Sequence, residues 1–237
     1  MFRHMASRLG VLAGTVDRMP VPSSLSMRVR VMRLLLSWVL ISIGVPLLVR
    51  AGLGVAPFDV LNTGVADVTG LSFGSVFIID GLLCFAVGAM LGARPGPASW
   101  VGGFVIGAMI NVSMSLIPEP EALAVRIPML IGGTLIIAIG ICSVISTDLG
   151  AGPSEVVMLG LIKHRVGVVV ARWVCDGVPM LLGVALGGDL GIGTLVFLIS
   201  MGPLVKFGLR RLHYVPRGLA AADATGAAVT TETIRAK

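Results

Sequence analysis

Apolar residues run along this chain in six blocks, at about 33–50, 71–92, 98–117, 126–147, 167–188 and 190–210, interrupted by only a few charged residues and prolines. Crossing the hydrocarbon core of a bilayer takes about 20 residues of helix, so each block predicts a membrane span. Two shorter stretches of mixed polarity, 54–69 and 150–166, separate the first block from the second and the fourth from the fifth. Both open with glycine and proline followed by an acid, which predicts a break in the backbone and a fresh helix start. The fold class expected is all-α: a polytopic membrane helix bundle of two repeats, each with three spans plus one short broken or re-entrant helix.

The two polar stretches repeat one another. A shift of 96 residues carries Leu53-Gly-Val-Ala-Pro57-Phe-Asp59 onto Leu149-Gly-Ala-Gly-Pro153-Ser-Glu155, and Asp80-Gly81 onto Asp176-Gly177. Repeat one is assigned to 33–117 and repeat two to 126–210, inside a membrane domain of 33–212. Basic tails, 1–32 and 213–237, are expected to be disordered. If the short helices do not cross, each repeat has three spans, and that odd number inverts one repeat against the other. Arg94 and the Lys163-His164-Arg165 cluster then share a side with the N-terminus, while Glu119 and Glu121 fall opposite, as the positive-inside rule requires. Eight spans would move Arg94 out and the acidic loop in. The six-span inverted arrangement, with both termini cytoplasmic, fits the rule better.

Composition agrees: 56% of residues are hydrophobic and only 13% charged, outside the range of ordinary soluble domains. The formal charge of +6 is confined to the ends of the chain. Residues 1–33 hold six arginines against Asp17, and 206–237 hold six Lys or Arg against Asp223 and Glu232, leaving the body net acidic. Basic residues without interleaved aromatics argue against nucleic acid as a partner and for anchoring at a lipid surface. The weak apolar patch from Leu9 to Val16 makes a poor signal peptide, and Met5, Met19 and Met27 are alternative starts. Cys84, Cys142 and Cys175 lie in apolar runs without metal spacing and are expected to be free thiols.

Candidate chemistry rests on acids inside apolar sequence. A carboxylate at the centre of a span costs about 2.5–3.5 kcal/mol on insertion scales, so Asp80 needs a compensating partner, water, a proton or a cation. Phe73, Phe77, Cys84 and Gly88 share its helical face. Asp176, its counterpart, has Arg172 one turn earlier, a self-sufficient ion pair. Asp59 and Glu155 sit where an acid either caps a helix or lines a site. Asn62 and Thr63 extend the polar surface of the first motif, whereas Met158 and Leu159 replace them in the second, so a polar site should weigh toward the first half. Asn111 reads as interhelical glue, and Lys163-His164-Arg165 as an anchor facing lipid phosphates. Gly88/Gly92, Gly103/Gly107 and Gly183/Gly187 are small-residue pairs of the kind that lets backbones touch, and Pro46, Pro179 and Pro203 interrupt spans. With no phosphate loop, no His-Glu-x-x-His and no histidine beside an intramembrane nucleophile, neither enzyme activity, cofactor nor metal is expected.

The motifs Leu53-Gly-Val-Ala-Pro-Phe-Asp59, Thr69-Gly-Leu-Ser-Phe-Gly74 and Gly191-Ile-Gly-Thr194 resemble those of the YczE/YyaS/YitT family of bacterial integral membrane proteins. The likeness covers about 33–212 and departs in the second half, where Val166-Gly-Val-Val-Val170 stands in place of Gly70-Leu-Ser-Phe-Gly74. It implies a multi-pass protein of the bacterial inner membrane and nothing about substrate. The expectation from symmetry and buried charge is a small secondary transporter or permease. Its site would lie between the repeats, lined by Asp59, Asn62, Asp80, Glu155, Asp176 and Arg172, with backbone breaks at Gly54, Pro57, Gly150 and Pro153. Its partners would be the bilayer and a small solute, proton or cation, and a homo-oligomer is compatible. A non-transporting scaffold, sensor or accessory subunit is the alternative, with the same polar residues acting as packing glue.

Overall fold

A computed structural model describes residues 26–147, 149–150 and 152–212, and of residues 168, 169 and 172 the main chain alone. The expected tails 1–25 and 213–237 lie outside the described residues. Among the described residues the fold is all-helical. Its elements are α1 (Met27–Ala51), α2 (Asp59–Thr69), α3 (Phe73–Met90), α4 (Pro97–Leu116), α5 (Leu123–Ile145), α6 (Pro153–Lys163), α7 (Val168–Ala185) and α8 (Ile192–Arg211). Five of them, α1, α3, α4, α5 and α8, are long and apolar enough to cross a membrane. Helix α7 is as long as α3, and Trp173–Ala185 within it is an apolar stretch that includes Asp176. Large apolar side chains such as Leu83, Phe104, Trp173, Leu181 and Ile199 stand exposed around the bundle, a surface suited to lipid.

The first span starts earlier than expected. Helix α1 begins at Met27, not near residue 33, because Arg30 and Arg33 are not a tail: Arg30 Nε donates to the Thr147 carbonyl (2.6 Å) and Arg33 to the Ser146 hydroxyl (3.4 Å). At the other end of the same helix, Arg126, in the first turn of α5, donates to the carbonyls of Ala51 and Gly52. These contacts fix α1 and α5 as antiparallel neighbours. Between them Gly44 and Gly133 meet, each leaving no room for a Cβ beside the other helix, the close approach that glycine permits between membrane helices. Val45, Leu48, Ala51, Ala56, Phe73, Ile110, Leu130, Ile137 and Phe197 form the main apolar core around this pair.

Helix α3 returns antiparallel to α4. The Gly74 N–H near its start donates to Asn111 Oδ1 near the end of α4 (2.9 Å), so Asn111 joins two helices as expected. The end of α1 and the start of α3 therefore lie at one end of the bundle, and α2 leaves and returns to that same end without crossing. Helix α6 does the same at the opposite end. It runs beside α3 from Pro153 near Gly81, through Val156 at Gly88 and Gly160 at Leu91, to Lys163, whose ammonium donates to the Gly92 carbonyl. Lys163 is thus tied to the protein rather than serving lipid alone. Eleven residues of α6 span about 16 Å, half a bilayer core.

Each short helix is seated on the other half of the chain. Helix α2 rests on α7, where Gly183 and Gly188 crowd the Val60 carbonyl and Gly64 faces Gly183, while α6 rests on α3. The breaks are exchanged likewise. Leu53 and Gly54 press on Gly191 and Gly193, with Gly193 N–H donating to the Leu53 carbonyl (2.7 Å), and Leu149 and Gly150 press on Gly96 and Ser99. Of the expected glycine pairs, Gly88, Gly103, Gly107 and Gly183 do make such close contacts. Gly92 and Gly187 do not; a Cβ added at either would meet nothing within 4 Å, and both lie just past helix ends with positive φ. Pro46, Pro179 and Pro203 lie inside helices as expected, and Pro128 joins them in α5.

Candidate functional site

The two breaks differ in their starts. Pro153 occupies the first turn of α6 as the sequence predicts, but Pro57 falls in a turn before α2, whose first residue is Asp59. Gly54 takes φ 110°, a conformation open to glycine, and its Cα lies against Gly191, which holds the non-helical residues 54–57 in the interior. Val55, Ala56 and Pro57 are buried there, and α2 climbs from this depth toward its exposed end at Asp67–Thr69.

Asp59 and Asn62 sit one turn apart at the inner end of α2. Both are buried, Asn62 at 0% exposure, and Asn62 Nδ2 donates to Asp59 Oδ1 (3.0 Å). Asn62 Oδ1 has no hydrogen-bond partner, and neither does Asp80 Oδ2, although both atoms are buried. Asp80, half-buried on α3, lies within electrostatic reach of Asp59 and of Cys84. Cys84 is also reached by Glu155 and Cys175, and Gly81 faces Pro153, with 3.5 Å from an added Cβ to the proline ring. Asp59, Asp80 and Glu155 therefore share one neighbourhood at mid-bundle, with the inner ends of α2 and α6 on either side of Asp80.

The acids there have different tasks. Glu155 turns its carboxylate back on Gly152, at the residue preceding α6, where a Cβ would collide with it; this is an acid serving the positive end of its own helix. Asp59 instead bonds Asn62. Asp176 is half-buried and engaged, and the side chain of its expected partner Arg172 lies outside the described residues. The three thiols are free, Cys142 and Cys175 buried and Cys84 half-buried.

A cavity of about 670 Å³ leads toward this site from the end of the bundle where α2 returns. Its wall includes Arg50, Thr63, Asp67, Phe73, Glu119, Glu121, Arg126 and Asp189. Thr63 forms its inner limit beside Asn62; the threonine hydroxyl donates to the Val60 carbonyl (3.1 Å) and accepts from the Asp189 N–H (2.9 Å). Both arginines are committed, Arg50 to Glu119 and the Met114 carbonyl, Arg126 to the end of α1. The Asp189 carboxyl is held above its usual range by partial desolvation, then by the negative charges of Asp67 and Glu119. Sequence reading missed this vestibule. The available signal was that Asp67, Glu119, Glu121 and Asp189 all occupy span ends opposite those bearing Arg28, Arg94, Lys163, Arg165 and Lys206.

The profile of a family of unknown function, DUF6198, matches residues 28–210. An uncharacterised protein of Haemophilus influenzae is 30% identical over 187 residues, covering 77% of this chain and 86% of that one. The uncharacterised membrane protein YczE of Bacillus subtilis is 28% identical, covering 72% and 81%, and YyaS of the same organism 24%, covering 70% and 85%. The resemblance to YczE and YyaS read from the motifs therefore holds. No solved structure matches the chain. A chain whose described residues are all-helical, with five spans of membrane-crossing length and similarity over 72% of its length to a membrane protein, is an integral membrane protein, and it belongs to the DUF6198 family.

Proposed function

We propose that the protein is a small secondary transporter of the bacterial inner membrane, built of two inverted repeats, with both termini cytoplasmic and the 670 Å³ cavity facing outward. One observation carries the reading: two half-length helices enter from opposite ends, and their inner ends meet beside Asp80, with a cavity on one side that reaches as far in as Thr63. Backbone broken at this depth is tolerated where it lines a site or cavity. The antiparallel pairing of α1 with α5, and the exchange of short helices between halves, support common descent of the repeats. The placing of Arg28, Arg94, Lys163, Arg165 and Lys206 away from Asp67, Glu119, Glu121 and Asp189, with Arg50 and Arg126 alone among the described cations lining the acidic cavity, supports the orientation.

In this reading Asp59, Asn62 and Asp80 line the central site, Glu155 and Asp176 are their second-half counterparts, and Arg172 neutralises Asp176. The outward route is open, and the opposite end is closed where Lys163 holds Gly92 and Gly96 packs on Leu149. Exchange of these two conditions, driven by a change of charge at Asp80, moves solute without covalent chemistry. Solid-supported-membrane currents from proteoliposomes across a panel of solutes test the proposal. Asp80→Asn should abolish the current of any solute that wild type carries, and full current in that variant removes Asp80 from the mechanism. A panel that neither yields current nor raises the unfolding temperature favours the non-transporting alternative.

A further inference from the structure

We infer that Asp59, Asn62 and Asp80 form a binding site for a dehydrated sodium ion. The inference deepens the transporter reading by naming its coupling ion, and it stands on the imbalance of donors and acceptors at this point. Asn62 has 0% exposure, its amide nitrogen is spent on Asp59, and its amide oxygen faces no donor. Asp80 Oδ2 is also buried without a donor, and the two carboxylates stand within reach of each other's charge. The neighbouring groups do not redress this. The Thr63 hydroxyl proton goes to the Val60 carbonyl, Glu155 is turned to its own helix, and Val60, Leu61 and Gly81 bring no side-chain donor. A buried acceptor left without a partner costs about 1–3 kcal/mol, so evolution has reason to keep two here only if something positive fills the gap.

The chemistry narrows what that something is. A proton on Asp80 would serve both orphan oxygens only through an O–H···O bond from Asp80 to Asn62, and it would leave the Asp59 carboxylate without a counter-charge. A metal cation serves both oxygens and the Asp59 carboxylate together, and it relieves the repulsion between the acids. Calcium takes six to eight oxygens and magnesium keeps most of its water, demands that three short side chains in a dry pocket do not meet. A small monovalent ion asks less, and the chain enters α2 at this depth through the buried, non-helical residues 54–57. Broken helices at mid-membrane supply ligands for such an ion. A larger ion would have to push α2 outward, but Gly183 and Gly188 already touch the Val60 carbonyl and leave no slack. The ion would enter from the cavity past Thr63.

The test uses the full-length protein in detergent, held at constant ionic strength while sodium chloride replaces choline chloride. The unfolding temperature should rise saturably, by roughly 5–10 °C at a hundredfold excess over the dissociation constant. Potassium should be much weaker, and the response should vanish in Asp80→Asn and in Asn62→Leu, the latter carrying the test if the former does not fold. Equal stabilisation by potassium or choline, stabilisation by calcium at the same concentration, or a sodium response that persists in both variants overturns the inference. Sodium binding by a protein that moves no solute would refute transport and leave the site standing. Asp80-dependent transport without a sodium response would do the reverse.

Discussion

Substituting alanine for two glycines on one helix separates the packing role of α7 from its helical propensity. At Gly183 an added Cβ would lie closer than 3.0 Å to the backbone of Val60 and Leu61, whereas at Gly177, two turns away, nothing stands within 4 Å. Ordinary contact between such atoms needs about 3.5–4.0 Å, so Gly183→Ala forces α2 off its seat by roughly 1 Å. The obstacle is main chain, so no rotamer change relieves it, and overpacking of this kind costs about 1–3 kcal/mol. Gly177→Ala has no clash and gains about 1 kcal/mol of helix propensity. Gly183→Ala gains the same propensity, so the two variants should differ by the clash alone, about 1–3 kcal/mol, roughly 2–12 °C in unfolding temperature for a chain of this size. Thermal unfolding in detergent, read by the fluorescence of a thiol-reactive dye on the three buried or half-buried cysteines, measures the difference. Equal melting temperatures, or a less stable Gly177→Ala, would refute the seating of α2 on α7. Because Asp59 and Asn62 ride on α2, Gly183→Ala should also blunt the sodium response while leaving every polar side chain in place.

Two further outcomes are expected. Asp189 holds its proton above the ordinary value of 3.8, so between 3.8 and that higher value the native state binds more protons than the unfolded one. Stability should be fullest below this window and fall as pH rises through it; Asp189→Asn should flatten that part of a melting-temperature profile, and an unchanged slope would refute the crowding of Asp189 by Asp67 and Glu119. A single cysteine placed at Glu119 in a background free of other thiols should react in intact cells with a membrane-impermeant maleimide, while one at Arg165 should react only after the membrane is opened, and the opposite pattern would overturn the orientation.

Hydrophobic runs identified all six long helices because each must be apolar along nearly its whole length, and the shift of 96 residues located both short ones. Which way the short helices ran was harder to read, since an eleven-residue amphipathic segment is compatible with crossing, lying flat or turning back. The answer came from partners far away in sequence: Gly74 with Asn111, Arg126 with Ala51, Lys163 with Gly92. The start of α1 was misplaced because Arg28, Arg30 and Arg33 depress hydropathy, although Arg30 and Arg33 merely reach from the helix end to Thr147 and Ser146, just past α5. Asp59, Asn62 and Asp80 were legible as candidates from charge in apolar sequence. The vestibule was not, because Asp67, Glu119 and Asp189 lie on separate loops and helix ends that no local pattern connects.

Exchange of the short helices means that neither half is an autonomous folding unit. A ribosome that has finished Leu116 has made α2 without the helix it rests on, and α3 without the one that covers Gly88. Two polypeptides divided in the loop at 117–122 would have to find each other in the membrane to be rescued from proteolysis. On the proposed common descent of the repeats, the same docking would have joined two identical subunits in opposite orientations before their genes fused.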